Sequence, residues 1–258
     1  MRALSFFCLL LMGCSNTQSP ESLSKINASG MLPAQSTQLI VVVSDHWDAT
    51  QGQLYSFEKV QQQWVAQPIS GPVTLGRKGL AWGMGLHPIQ KGLQKIEGDG
   101  RAPAGLFKLS GAFGYLPTLD TAMPYQAMQS DDYCIDVATS PLYNLTVNRS
   151  QYQPVLTQGS TEPMRRDLHE KGDQAYFQGL FIDHNPTRLP GAGSCIFMHL
   201  WQSPTKATAG CTAMAKPQLS ALLRWLHPDK QPVYLLLPIS EYQSLKSSWQ
   251  LPDLPVTK

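Results

Sequence analysis

Two residues in the segment SCIFMHLWQSPTKATAGCTAM (194–214) have the types and spacing for acyl-transfer chemistry. His199 stands at the end of an apolar run, and Cys211 follows twelve positions later, just after an Ala-Gly pair. A thiol becomes a useful nucleophile when a base lies within hydrogen-bond reach and backbone N–H donors face the developing oxyanion. Imidazole titrates near neutral pH and suits the base role. The backbone N–H groups of Gly210 and Cys211 are the expected oxyanion donors, and Gly210 permits a close backbone approach. Trp201, directly after the base, and His184, at the end of a strand-like run, are candidates for the substrate wall. On composition and spacing alone, a buried structural cysteine and a core histidine explain the same residues.

The elements that must position this pair read as mainly β. Leu39–Val43 (LIVVV) is a continuous apolar run, as expected of a strand buried on both faces. QLYSFEKV (53–60) and QQWVAQPI (62–69) form a hairpin pattern. Further strands are expected at Leu106–Leu109, Leu145–Asn148, Gly179–His184, Cys195–Leu200 and Val233–Pro238, separated by glycine-rich turns at Gly76–Gly85 and Glu97–Gly105. Leu219, Leu222, Leu223 and Leu226 fall at i, i+3, i+4 and i+7, one face of a helix. Pro217 suits its first turn and Pro228 ends it. A second helix is expected over Glu162–Lys171, with Arg165 and Arg166 on a solvated face or binding a substrate carboxylate.

The 258 residues carry 15% charged side chains, a formal net charge of +2, 20 glycines and 20 prolines. That charge is too mild and dispersed for a nucleic-acid partner. The acidic residues Asp131, Asp132 and Asp136 lack metal-type histidine spacing, and no metal site is expected.

The N-terminus reads as an export signal: Met1-Arg2, a short apolar run over 3–12, then Leu11-Met12-Gly13-Cys14. An apolar core of about ten residues is too short to span a bilayer, which takes about 20. The LMGC tetrapeptide resembles a bacterial lipobox, which implies that residues 1–14 are a lipoprotein signal with Cys14 as the lipidated residue. Ser15 after it implies a periplasm-facing outer-membrane lipoprotein of the cell envelope. Contact with the membrane would be through that lipid alone. Residues 15–37 are polar and aperiodic, a tether of about 25 Å as a coil, and 38–258 form the remaining domain. Cys134, Cys195 and Cys211 are then left in an oxidising compartment, an odd number, so one thiol is free. Either Cys134 and Cys195 are bridged and Cys211 is reactive, or Cys134 and Cys195 are buried, unpaired structural thiols.

Four ordered blocks resemble the L,D-transpeptidase catalytic-domain family, with its YkuD-like fold. They are Gly76–Gly83 (GRKGLAWG), Glu97–Gly105 (EGDGRAPAG), Asp131–Asp136 with Tyr143-Asn144, and His199 followed by Thr208-Ala209-Gly210-Cys211. The resemblance spans 76–238. It implies a YkuD-like β-sandwich with one helix after the cysteine, Cys211 as nucleophile and His199 as base, oriented by a backbone carbonyl. It implies no metal or organic cofactor. The implied substrate is the peptidoglycan stem peptide, with an amine of a neighbouring stem or a wall-attached protein as acyl acceptor. The commonest form of the motif has histidine two residues before the cysteine and arginine two after; this chain has Ala209 and Ala213, and a shorter loop. Three activities remain open at this point: transpeptidation, hydrolysis by an L,D-peptidase or amidase, and a catalytically silent peptidoglycan-binding module.

Overall fold

The computed structural model describes residues 31–255. Residues 1–14, with Cys14, and residues 15–30 of the expected tether lie outside them. The last part of that tether is not extended: Leu32 and Ser36 are buried and Met31 packs on the core. Thr37 N–H donates to the Lys230 carbonyl. The apolar pair Met31-Leu32 lets this stretch bury itself, against the expectation from the surrounding polar residues.

The strands in chain order are β1 Gln38–Ser44, β2 Gln51–Val60, β3 Gln63–Thr74, β4 Leu80–Trp82, β5 Ala102–Gly114, β6 Tyr125–Ala127, β7 Asp132–Cys134, β8 Thr146–Asn148, β9 Glu162–Pro163, β10 Gln178–Ile182, β11 Phe197–Leu200, β12 Thr212–Met214 and β13 Val233–Pro238. The helices are the single turns α1 Pro154–Thr157 and α2 Arg166–His169, then α3 Lys216–Trp225 and α4 Ile239–Trp249. The protein is mainly β, as its alternating and continuous apolar runs predict. Following the pairings β1–β2–β3–β12–β11–β10–β5–β13 returns to β1, so the main sheet closes on itself like a barrel. The ring joins β12 to β3 through a single pair, Ala213 with Thr74. Closure leaves no long sheet edge exposed in the ring.

Every residue of β1 and β13 is buried, and the two run parallel with Val41 opposite Leu235. Strands covered on both faces must be apolar throughout, which is why LIVVV and VYLLLP read as unbroken runs. Helix α3 follows Cys211 as expected, burying Leu219, Leu222 and Leu223 against β3, β10 and β11. Its last turn is satisfied from afar: buried Gln38 donates Nε2 to the Trp225 carbonyl and accepts from His227 N–H. Helix α4 packs on β1 and β13 and was not expected from the sequence. Its turns ISEYQSLKSSW bury only Tyr242 and Trp249, a period too sparse to read. The segment Glu162–Lys171 is not a continuous helix. Glu162 and Pro163 pair with β7, and one helical turn follows. With β8, this makes a three-stranded sheet outside the barrel.

Candidate active site

Strand β11 delivers His199 and the loop before β12 delivers Cys211. The two strands are parallel neighbours, with His199 opposite Ala213. Both side chains line one groove of about 340 Å³, together with Trp201. The residual exposure of Cys211 is 7%.

The His199 ring is fixed from two sides. Its Nδ1 lies 2.9 Å from the Leu200 carbonyl oxygen, which can only accept, so Nδ1 carries the proton and Nε2 keeps a lone pair. Tyr176 meets the ring edge-on with centroids 5.2 Å apart. The Nε2 atom makes no hydrogen bond among the described residues. Burial pushes the imidazole down to about 4 and the Cys211 thiol up to about 12. At neutral pH both groups are therefore neutral, a thiol and an imidazole in one groove rather than a thiolate and an imidazolium.

The sulfur has two backbone partners. Phe197 N–H donates to Sγ at 3.4 Å, and the thiol donates to the Cys195 carbonyl at 3.6 Å. Thr208 builds the turn: its hydroxyl donates to the Cys211 carbonyl at 2.6 Å and accepts from Gly210 N–H at 3.1 Å. This corrects one expectation. The Gly210 N–H is spent inside the loop, and the Cys211 N–H has no partner among the described residues. Glycine is needed at 210 for space, since a Cβ there would lie 2.9 Å from the Arg101 carbonyl oxygen.

Cys134 and Cys195 form a disulfide, leaving Cys211 as the free thiol among the described residues. Cys195 adopts a left-handed conformation (φ 58°), with its N–H held by the Asn144 side-chain oxygen at 2.9 Å. Tyr143 and Ser194 both donate to Glu97, and Asp99 caps Ile96 and Arg101 N–H groups while pairing with Lys95 at 2.6 Å. Gly76 bridges to Thr208, and Arg77 N–H donates to the Thr208 carbonyl. All four blocks singled out in the sequence thus meet around the Cys211 loop.

His184 does not join them. It is 2% exposed, its Nδ1 accepts from Met84 N–H at 3.2 Å, and its Nε2 donates to the Ala192 carbonyl at 2.9 Å. Both ring nitrogens are used, and His184 lines a separate cavity rather than the Cys211 groove, so it is not part of that groove's wall. Asp132 and Asp136 are spent on loop bonds, to Gln129 and Thr161 N–H groups respectively. No group of three or more metal-ligating side chains occurs among the described residues.

Sequence reasoning missed Glu162, Tyr176 and Lys95, which line the groove together with Arg166. Tyr176 donates to Glu162 Oε1 at 2.7 Å, and the Arg166 guanidinium stacks over the Tyr176 ring. Arg166 pairs with Asp173 at 2.8 Å and with Glu170 at 3.3 Å. The expectation of a solvated face therefore does not hold for its guanidinium. Arg165 points away and pairs with Asp167. Arg77 and Lys206 also line the groove, are exposed and make no ion pair among the described residues.

No family model matches the chain, and no curated protein matches it. Among solved structures it is similar to the helical cell shape determining protein Pgp2 from Campylobacter jejuni, at 13% identity and a TM-score of 0.34. That match covers 78% of this chain and 48% of the other, so the chain spans about half the length of that structure.

Proposed function

We propose that the protein is a cell-envelope cysteine acyltransferase of the L,D-transpeptidase type, acting on peptidoglycan stem peptides. The observation that carries the reading is the shared groove of His199 and Cys211, with the His199 lone pair on Nε2 unspent. The YkuD-like domain, which rests on the four sequence blocks, and the periplasmic location and lipid anchor at Cys14, which rest on the N-terminal LMGC signal, belong to the same proposal.

The resting thiol points its proton at the Cys195 carbonyl. For transfer, that proton must turn from the Cys195 carbonyl towards His199 Nε2, in the groove that both residues line. As Sγ bonds to the substrate carbonyl carbon, Nε2 takes the proton and the carbonyl oxygen becomes an oxyanion facing the Cys211 N–H. Collapse breaks the C–N bond, and the leaving amine takes the proton from Nε2, leaving a thioester. An incoming amine reverses these steps and regenerates the thiol; water in its place gives a peptidase. The neutral resting pair suits this order, because the proton moves only when substrate has excluded solvent from the groove.

The test is mass spectrometry of the full chain incubated with a stem tetrapeptide and an amine acceptor. Wild type should show an acyl adduct on Cys211 and an amide product, and Cys211→Ala should show neither. Product made equally by Cys211→Ala would end the proposal. Acid product without amide would assign hydrolysis instead.

A further inference from the structure

Resting on the acyl-transfer reading, we infer that Glu162 is the subsite for the positively charged amine of the second substrate. Its carboxylate lines the groove that holds Cys211 and His199. Oε1 is occupied by the Tyr176 hydroxyl at 2.7 Å, with Arg166 at 3.6 Å. Oε2 has no hydrogen-bond partner among the described residues, although the side chain is only 23% exposed. Oε2 is therefore open to a donor that enters the groove.

Arg166 reaches this carboxylate only at 3.6 Å and is shared with Asp173 at 2.8 Å and Glu170 at 3.3 Å. The carboxylates that share Arg166 are thus left with surplus negative charge, whereas the exposed Arg77 and Lys206, which also line the groove, are cations with no ion pair among the described residues. Such a groove orients a substrate that carries an ammonium at one end and a carboxylate at the other. Tyr176 links the subsite to the chemistry, holding Glu162 with its hydroxyl and His199 with its ring.

The step balances. The acceptor arrives as R–NH3+ and gives one proton to Glu162 Oε2, becoming R–NH2. The amine nitrogen bonds to the thioester carbonyl carbon and gives its second proton to His199 Nε2. The C–S bond breaks, and the Cys211 thiolate takes that proton back. Burial holds the Glu162 carboxyl above the usual range, which favours proton uptake; Tyr176 and Arg166 oppose this, while Asp136 and Asp173 reinforce it.

A probe of groove charge that needs no transfer tests the subsite: rates of disulfide formation at Cys211 with 2-aminoethyl methanethiosulfonate, a cation, and neutral methyl methanethiosulfonate. Glu162→Gln should slow the cationic reagent about five-fold relative to the neutral one, the effect of one charge at contact distance near a wet surface. Glu162→Asp should retain most of the selectivity, and it separates loss of charge from loss of fold. An unchanged ratio in Glu162→Gln, or an equal slowing of both reagents, overturns the subsite alone. Failure of Cys211 to react with either reagent overturns the acyl-transfer reading and the subsite with it.

Discussion

Two imidazoles flank the segment 185–198, and burial pushes both down to about 4. They differ in what their second nitrogen does. His184 gives one nitrogen to Ala192 and the other to Met84, and so serves as a two-sided clamp between loops. His199 gives one to the Leu200 carbonyl and keeps the other for the groove. Equal shifts therefore do not mark equal roles. The count of unspent lone pairs separates a structural histidine from one able to move a proton.

The sharpest way to break that comparison is to remove each ring in turn. His199→Gln should lower the rate of Cys211 acylation by about 10²–10⁴, the usual share of a general base, with the fold retained. The equivalent change at His184 should leave that rate within a few-fold. Mass spectrometry of the acyl adduct over time measures both, and similar losses in the two variants would erase the distinction.

Next in size is the disulfide, which stands between the two rings. Cys195 hangs from Asn144, whose side-chain amide also donates to the His184 carbonyl, and the Cys195 carbonyl receives the Cys211 thiol. Opening a cross-link with a sequence separation of 61 releases chain entropy in the unfolded state worth about 4 kcal/mol. Cys134→Ser should therefore lower stability by about 2–4 kcal/mol in urea unfolding. It should also slow Cys211 acylation, because Phe197 N–H and the Cys195 carbonyl would no longer be held against the sulfur. Unchanged kinetics in the variant would mean that α3 and Thr208 alone fix the nucleophile.

Much of this site was legible because its signals are local. An apolar run ending in His199, a Gly-Cys pair and a leucine-faced helix each declare themselves within one turn or strand. The left-out parts are products of long-range pairing. Glu162 looked like the start of a helix because its neighbours are good helix formers; Pro163 and the pairing with β7 overrode them. Arg166 looked solvated until Asp173 and Tyr176 came to it through the chain's return into β10. The oxyanion assignment to Gly210 failed because a hydroxyl two residues earlier captured its N–H, a choice that spacing alone cannot show. Closure of the ring through one pair, Ala213 with Thr74, is equally invisible in either strand's sequence.

Acid should act on both rings through stability. An unfolded histidine binds a proton near its ordinary value of about 6.5, and the folded rings resist until about 4. Between those limits the unfolded chain holds more protons, so the contribution of each neutral ring is full above about pH 6.5 and is lost as pH falls toward 4. The loss is on the order of a few kcal/mol per ring. His87, also pushed down by burial, adds in the same direction. Unfolding midpoints measured from pH 8 to pH 4 should fall steeply, and His184→Gln should flatten that fall. A variant curve parallel to wild type would show that the ring titrates freely in the native state.

The smallest effect expected is the stability cost of His184→Gln at neutral pH. Glutamine offers one donor group and one acceptor, enough in principle for Ala192 and Met84, but its amide cannot place them at the two separated positions of an imidazole. One buried bond is lost or lengthened, at a cost of about 1–3 kcal/mol. The edge contact of the ring with Phe107, centroids 6.0 Å apart, goes as well. His199 should show the opposite balance, because its ring owes the fold one carbonyl bond and the Tyr176 contact. The same substitution there should cost less stability and far more chemistry. A denaturant series on both variants, read beside their acylation rates, places each ring on one axis or the other. If both moved along the same axis, lone-pair counting would fail as a guide to which buried histidine works.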